Sequence, residues 1–337
     1  MKLAVLAPIV WRTPPRKYGP WEQVASNIAE GMVQRGIDVT LFATANASTK
    51  GTLKYIAHEP YGEAPEMDPK VWECLHISNL MEQAHQYDLI HNHFDFLPLT
   101  YSKLIKTPMV TTIHGFSSPK ILPVFQRYDN HTHYVSISDS DRSPLLNYMA
   151  TVYNGIDTKE FTFCKQPDDY LLYFGRIHPE KGTYESIQIA RQARKKLIIS
   201  GFIQDAAYFE EKIQPYINDD DIVYVGNSGP TERDKLLGKA SALLHPISFD
   251  EPFGLSVAEA MLCGTPVIAF KRGSMPELIE DSKTGFLVSS MEEAVSAVAR
   301  IPEIDRTYCH WYASEKFSRD KMIEGYLEVY RRIFESL

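Results

Sequence analysis

The chain has 337 residues, 44% of them hydrophobic and 23% charged, with a formal net charge of −8. That is the composition of a globular protein with room for two ordinary domains, and its acidic balance points away from nucleic-acid binding through phosphate neutralisation. Four cysteines, Cys74, Cys164, Cys263 and Cys309, stand far apart with no CxxC pair, so neither a disulfide framework nor a structural zinc site is suggested.

The opening MKLAVLAPIV carries one lysine and a short apolar run, without a small-residue cleavage site, and reads as a buried first strand rather than a signal peptide. No apolar stretch reaches the ~18 residues of a membrane span, and the expected location is the cytoplasm. Next comes WEQVASNIAEGMVQRG, with Val24, Ile28, Met32 and Val33 at helical spacing and Gly36 as a stop. DVTLFAT, YDLIHNHF, PMVTTIHG and HYVSIS are short, apolar and rich in β-branched residues, as strands are. Continuous rather than alternating apolar runs fit strands buried on both faces, and strands separated by helices imply a parallel sheet.

The rhythm restarts after Asn154-Gly155. LLYFGRI, KKLIISG, DIVYVG, ASALLHP, TPVIAF and GFLV read as strands, and KGTYESIQIARQAR, PTERDKLLGKA and SVAEAMLCG as helices between them. The simplest organisation is an N-terminal α/β domain over 1–155, a second over 156–315, and a C-terminal helix over 316–337. In that helix Met322, Tyr326, Val329, Tyr330 and Ile333 can share one face. Ligands of open parallel sheets bind beyond the carboxyl ends of the strands, so two such sheets facing each other would make one shared cleft.

Two stretches can carry chemistry. In DEPFGLSVAEAMLCGTPVIAF, Glu251 and Glu259 stand eight positions apart around a Pro-Phe-Gly-Leu-Ser turn that opens a helix. Backbone N–H groups at such a turn, with the helix dipole, suit a phosphate, and carboxylates accept hydrogen bonds from sugar or ribose diols. In YFGRIHPEKG, Arg176 and Lys181 follow a strand, where two cations can neutralise a pyrophosphate and stabilise charge on a departing one. Taken alone, either stretch also reads as ordinary surface charge.

Glu251–Glu259 within EPFGLSVAEAMLCGTPVIA resembles the E-x7-E signature of family 4 retaining glycosyltransferases, whose GT-B fold sets two Rossmann-like domains across a cleft with the C-terminal helix crossing back to the N-terminal domain. FGRIHPEKG, YNGIDTKEF, GSMPELIEDSKTGFLV and the N-terminal VTLFAT, DLIHNH and TTIHG stretches are similar to that family in the same order. The resemblance implies that Glu251 contacts the transferred sugar and Glu259 the ribose. It implies that the N–H groups of Phe253, Gly254 and Leu255 meet sugar and phosphates, that Arg176 and Lys181 bind the diphosphate, and that His114 stands near the reacting sugar. His93, in the HNH segment, is expected on the acceptor side rather than as half of a metal pair.

The implied reaction is metal-independent transfer with retention, from a nucleoside-diphosphate sugar as co-substrate and with no other cofactor. A UDP-sugar is favoured over a GDP-sugar, and Gly201-Phe202 with Val225-Gly226-Asn227 are candidates for contacting the base. The acceptor is left as a small molecule, glycan or lipid. In the first glycine loop, RKYGPWE, Gly19 stands where the family's pair begins and Pro20 replaces the second glycine, which stiffens the loop and removes one donor. The cations Arg12, Arg16 and Lys17 of that loop keep open a contact with a phosphate, an anionic acceptor or a membrane surface. Two other functions share the fold: a sugar-nucleotide 2-epimerase, whose acid/base carboxylates are not evident in the N-terminal half, and a non-catalytic sugar-nucleotide binding module.

Overall fold

The computed structural model describes residues 1–116 and 118–336; Leu337, the last residue of the segment read as the C-terminal helix, lies outside them. The chain divides into two compact units, Met1–Gly155 with Arg319–Leu337 and Ile156–Ser318.

The first unit contains β1 (Lys2–Leu6), α1 (Pro20–Gln34), β2 (Asp38–Phe42), β3 (Thr52–Lys54), α2 (Pro69–Met81), β4 (Leu89–Asn92), β5 (Met109–Ile113), α3 (Leu122–Tyr128), β6 (His133–Ser136) and β7 (Tyr148–Thr151). The second contains β8 (Tyr170–Phe174), α4 (Thr183–Gln192), β9 (Lys196–Ser200), the single turn α5 (Ala206–Tyr208), β10 (Ile222–Tyr224), α6 (Pro230–Lys239), β11 (Ala242–His245), α7 (Leu255–Leu262), β12 (Val267–Phe270), α8 (Met275–Leu278), β13 (Gly285–Val288), α9 (Met291–Arg300) and α10 (Arg306–Phe317). The last helix, α11 (Arg319–Glu335), belongs to the first unit.

Both sheets are parallel throughout. The first has the order β3-β2-β1-β4-β5-β6-β7 and the second β10-β9-β8-β11-β12-β13. The inner strands are buried over most of their length, and β4, β5 and β11 have no half-buried or exposed residue, as expected of strands covered on both faces. Edge strands β3 and β7 are only half-buried, and their TLK and YMAT sequences carry no such run.

Helix α1 begins with Pro20, which has no N–H to leave unpaired at the first helical position. Its Val24, Ile28 and Met32 are buried, while Val33 is half-buried at the margin of the face. The helix ends through Gly36, whose φ of +78° lets the chain turn into β2.

Helix α11 buries Met322, Ile323, Tyr326, Val329, Tyr330 and Ile333, each worth roughly 1.5–3 kcal/mol of transfer free energy. It packs on α1, where a β-carbon at Gly31 would come within 2.4 Å of Ile323 Cγ1. Hydrogen bonds also reach α11 from the sheet. The Tyr330 hydroxyl is 2.6 Å from His91 Nδ1, and the Tyr326 hydroxyl is 2.7 Å from Thr112 Oγ1. Among the described residues, no helix is long and apolar enough to cross a membrane.

Candidate functional site

In the second sheet the strand order reverses between β8 and β11. Open parallel sheets take ligands outside the carboxyl ends of the strands at such a point. The loop leaving β8 carries Arg176 and Lys181, and the loop leaving β11 carries Glu251. The two loops are joined, since Ser248 donates its N–H to the Glu180 carbonyl at 2.9 Å. They touch closely at Gly182, where a β-carbon would stand 2.1 Å from the Pro246 carbonyl oxygen.

Lys181 Nζ lies 2.5 Å from Glu251 Oε2, with the two side chains only 15% and 12% exposed. The ammonium also sits 4.5 Å from the centre of the Phe249 ring. Burial pushes the Glu251 carboxyl upward, but the Lys181 charge, then His245 and the Lys181 hydrogen bond, outweigh it and hold the group at about 2. His245 Nε2 is 3.6 Å from the same oxygen, beyond hydrogen-bond length, and has no hydrogen-bond partner where it lies buried. Arg176 is held on its own loop, with Nη2 2.6 Å from Glu180 Oε1 and Nη1 donating to Gln204 Oε1.

After Glu251 the chain passes Phe253 and turns at Gly254, whose φ of +91° opens α7 at Leu255. The first N–H groups of a helix have no intrahelical partner, so this turn presents donors where the dipole also favours an anion. The turn is braced from the following segment. Ser274 donates its N–H to the Glu251 carbonyl at 3.0 Å and its hydroxyl to the Phe253 carbonyl at 2.7 Å. One turn into α7, Glu259 is buried, with Oε1 3.2 Å from Arg233 Nη1. Burial raises this carboxyl more than Arg233 lowers it, and Glu160 adds to the rise. The loops after β9 and β10 lie side by side, Gly201 donating its N–H to the Gly226 carbonyl at 2.9 Å.

In the first unit, His93 and His114 follow the adjacent strands β4 and β5, and His93 Nδ1 is 2.9 Å from His114 Nε2. Trp21, near the start of α1, stacks on His114 with ring centres 5.4 Å apart. Burial drives His114 and His91 down to about 3 and His93 well below the ordinary range, so all three are neutral at physiological pH. His93 Nε2 is buried without a partner. An orphaned N–H is rarer than an orphaned lone pair, which assigns the His93 proton to Nδ1, donating to His114, and the His114 proton to Nδ1. His93 itself is fully buried, so its side chain does not line a surface. His91 has both ring nitrogens engaged, by Tyr330 and by Thr112.

Gly19 stands at the start of α1 with φ +153°, where a β-carbon would meet Pro15 Cβ at 2.8 Å. Glu22 follows it, buried, accepting the Trp11 N–H at 3.1 Å, and burial pushes its carboxyl up to about 7. Arg12 is engaged within its loop, donating to the carbonyls of Asn46 and Pro14, whereas Arg16 and Lys17 are exposed.

The sequence reading named Arg176, Lys181, Glu251 and the α7 turn, and these fall together at one switch point. It did not name His245, Arg233, Glu180 or Trp21. A polar residue ending the apolar strand ALLH was the one signal for His245, and nothing in TERD distinguished Arg233 from a surface cation. A cavity of about 370 Å³ lies elsewhere in the second unit, beside Ser241, Pro266 and Arg306 near the amino ends of β11 and β12. Arg306 there donates to the carbonyls of Cys164, Ala240 and Gly238 and to Thr265 Oγ1, which makes it a structural arginine rather than an anion ligand.

Residues 157–312 match the family model described as glycosyl transferases group 1, and residues 21–160 match that of glycosyltransferase family 4. A D-inositol 3-phosphate glycosyltransferase of Arthrobacter is 25% identical, the alignment covering 79% of this chain and 77% of that protein. Among solved structures, a sucrose-phosphate synthase from Thermosynechococcus elongatus is similar at TM-score 0.80 and 18% identity over the whole of both chains. Anabaena HepE in complex with UDP and glucose is similar at TM-score 0.74 and 20% identity, over 98% of this chain and 99% of that one.

Proposed function

The chain belongs to the family 4, group 1 glycosyltransferases of GT-B fold, and from that premise we propose that it transfers a sugar with retention from a nucleoside-diphosphate sugar to an acceptor hydroxyl. The observation that carries this reading is the buried Lys181–Glu251 pair beside the N-terminal turn of α7, at the strand switch point. An ionised carboxylate there accepts hydroxyls of the transferred sugar, while Lys181 and Arg176 receive the diphosphate and the N–H groups of Phe253, Gly254 and Leu255, at the turn into α7, meet sugar and phosphates. Glu259 takes the ribose. UDP is the first choice of nucleotide, since HepE, of the same fold, was solved with it.

In the proposed step the bond between the anomeric carbon and the phosphate oxygen breaks while the acceptor oxygen bonds to the same face. The acceptor proton passes to the departing phosphate. Lys181 and Arg176 stabilise the negative charge that gathers on the leaving group, so the charge neutralisation is assigned to these side chains. His114, with its proton fixed on Nδ1 by His93, serves as a neutral hydrogen-bonding group for the sugar. The expected acceptor is a small molecule, glycan or lipid hydroxyl, and the expected compartment is the cytoplasm.

A thermal-shift panel with UDP, GDP, ADP and their sugar derivatives tests the donor site. Ligand at about a hundred times its dissociation constant adds roughly 2.7 kcal/mol, a shift of several degrees. Stabilisation by one base supports the reading, and no shift with any nucleotide refutes it. Glu251→Gln and Lys181→Ala are expected to abolish transfer in a folded protein; full turnover by either overturns their assignment.

A further inference from the structure

The second glutamate has a partner that its motif does not predict. Arg233, on α6, reaches Glu259 Oε1 with Nη1 at 3.2 Å and Glu160 Oε2 with Nη2 at 3.4 Å. Its guanidinium lies over the Phe161 ring, 4.9 Å from the centre, and its side chain is 13% exposed. Glu259 is 6% exposed, and Arg233 meets it through Oε1.

A purely structural ion pair accounts poorly for this arrangement. Burying two charges costs solvation that a single contact at 3.2 Å does not fully return. Arg233 Nε is in addition buried without any hydrogen-bond partner, which adds a further desolvation cost to the pair. The geometry instead suits a carboxylate held by one oxygen so that the other is presented. Phe161 fixes the plane of the guanidinium, the guanidinium fixes Oε1, and Oε2 is left to accept from a ligand. Glu160, 42% exposed, engages the other terminal nitrogen of the same guanidinium, so that Nη1 alone is directed at Glu259.

We infer that Arg233 is a positioning residue for nucleoside recognition: it holds Glu259 aimed, so that Oε2 accepts from a ribose hydroxyl of the donor. This rests on the reading of Glu259 as the ribose-binding acid. Arg233 does not touch the reacting atoms, and its effect falls on affinity for ribonucleotides over their 2′-deoxy counterparts.

The test is calorimetric binding of UDP and 2′-deoxy-UDP, with GDP and 2′-deoxy-GDP in parallel, so that the ribo-to-deoxy ratio is read whichever base is preferred. The wild-type protein is expected to favour the ribonucleotide about tenfold or more, as loss of one hydrogen bond to a charged group implies. Glu259→Gln reduces that ratio to near one. Arg233→Gln reduces it to about two, and Arg233→Lys, which keeps the charge, restores most of it. Arg233→Gln that retains the full ratio while Glu259→Gln loses it overturns the role of Arg233 alone. Glu259→Gln that keeps the wild-type ratio, or a wild-type protein that shows none, overturns the ribose assignment itself. Should Arg233→Gln not fold, Phe161→Leu removes the surface under the guanidinium without altering charge. It is expected to cut the ratio about threefold, and an unchanged ratio there overturns the inference.

Discussion

Lys181 and Glu251 can be tested for coupling without any substrate, by measuring the stability of Lys181→Met, Glu251→Gln and the double variant. The Glu251 carboxyl is held at about 2 against an ordinary 4.5, and at 1.36 kcal/mol per unit that is about 3 kcal/mol favouring its charged form in the folded protein. Lys181 is the nearest cation, 2.5 Å away, so most of that energy belongs to the pair and the cycle should return a coupling of about 2–3 kcal/mol at pH 7. The folded value is depressed. The stabilisation is therefore complete above about pH 4.5 and disappears as pH falls toward 2, with more than half lost by pH 3. In Lys181→Met the burial of Glu251 is no longer opposed by the lysine, so its carboxyl rises and stability at neutral pH falls. Calorimetric unfolding of the four proteins at pH 7 and pH 3 reads both quantities. Effects that add within about 0.5 kcal/mol at pH 7, or a coupling unchanged at pH 3, refute the claim that the two side chains act as a charged pair.

Two glycines at the same site should differ in cost. Gly182→Ala places a β-carbon 2.1 Å from a backbone oxygen at φ +76°, so the two loops must separate, whereas Gly254→Ala meets only the movable end of Met275 at 2.8 Å. The first is expected to cost roughly 2–4 kcal/mol and the second about 1–2; equal losses in thermal unfolding would contradict the close loop approach. Glu22 has the opposite pH signature to Glu251. Its carboxyl is raised to about 7, so the wild-type protein sheds stability as pH rises from 4.5 through 7. Glu22→Gln, which can still accept the Trp11 N–H, should lose that slope, matching wild type near pH 4 and exceeding it by up to about 3 kcal/mol at pH 8. A parallel pH profile for the two proteins rules out a buried, protonatable Glu22.

Local sequence determined a good deal. Largely apolar or β-branched runs without alternation, such as MVTTI and ALLH, become strands buried on both faces, because a strand covered by helices has no solvent side to reward charged residues. The 3.6-residue spacing in α11 predicted its buried face, and Ile323 joined it as the neighbour along the same stripe. The positions of Arg176, Lys181 and the α7 turn followed from strand–loop–helix order alone, since each lies at a carboxyl end of a strand wherever that strand sits in the sheet. The short edge strands β3 and β7 were not legible, being three and four residues long and half-buried, with too few positions to show a period.

What no local pattern contains is which side chains meet. Lys181 and Glu251 are 70 residues apart, His93 and His114 are 21 apart, and His91 and Tyr330 are 239 apart. These pairs exist because parallel crossovers bring the carboxyl ends of neighbouring strands together, and because α11 packs back on the first sheet. Arg233 acquires its partners, Glu259 and Glu160, in the same way. Residue type and period therefore told what each segment buries and which residues lie at strand ends. Strand order decided the protonation, aim and partners of those residues, because charge and hydrogen bonding depend on distance in space rather than along the chain.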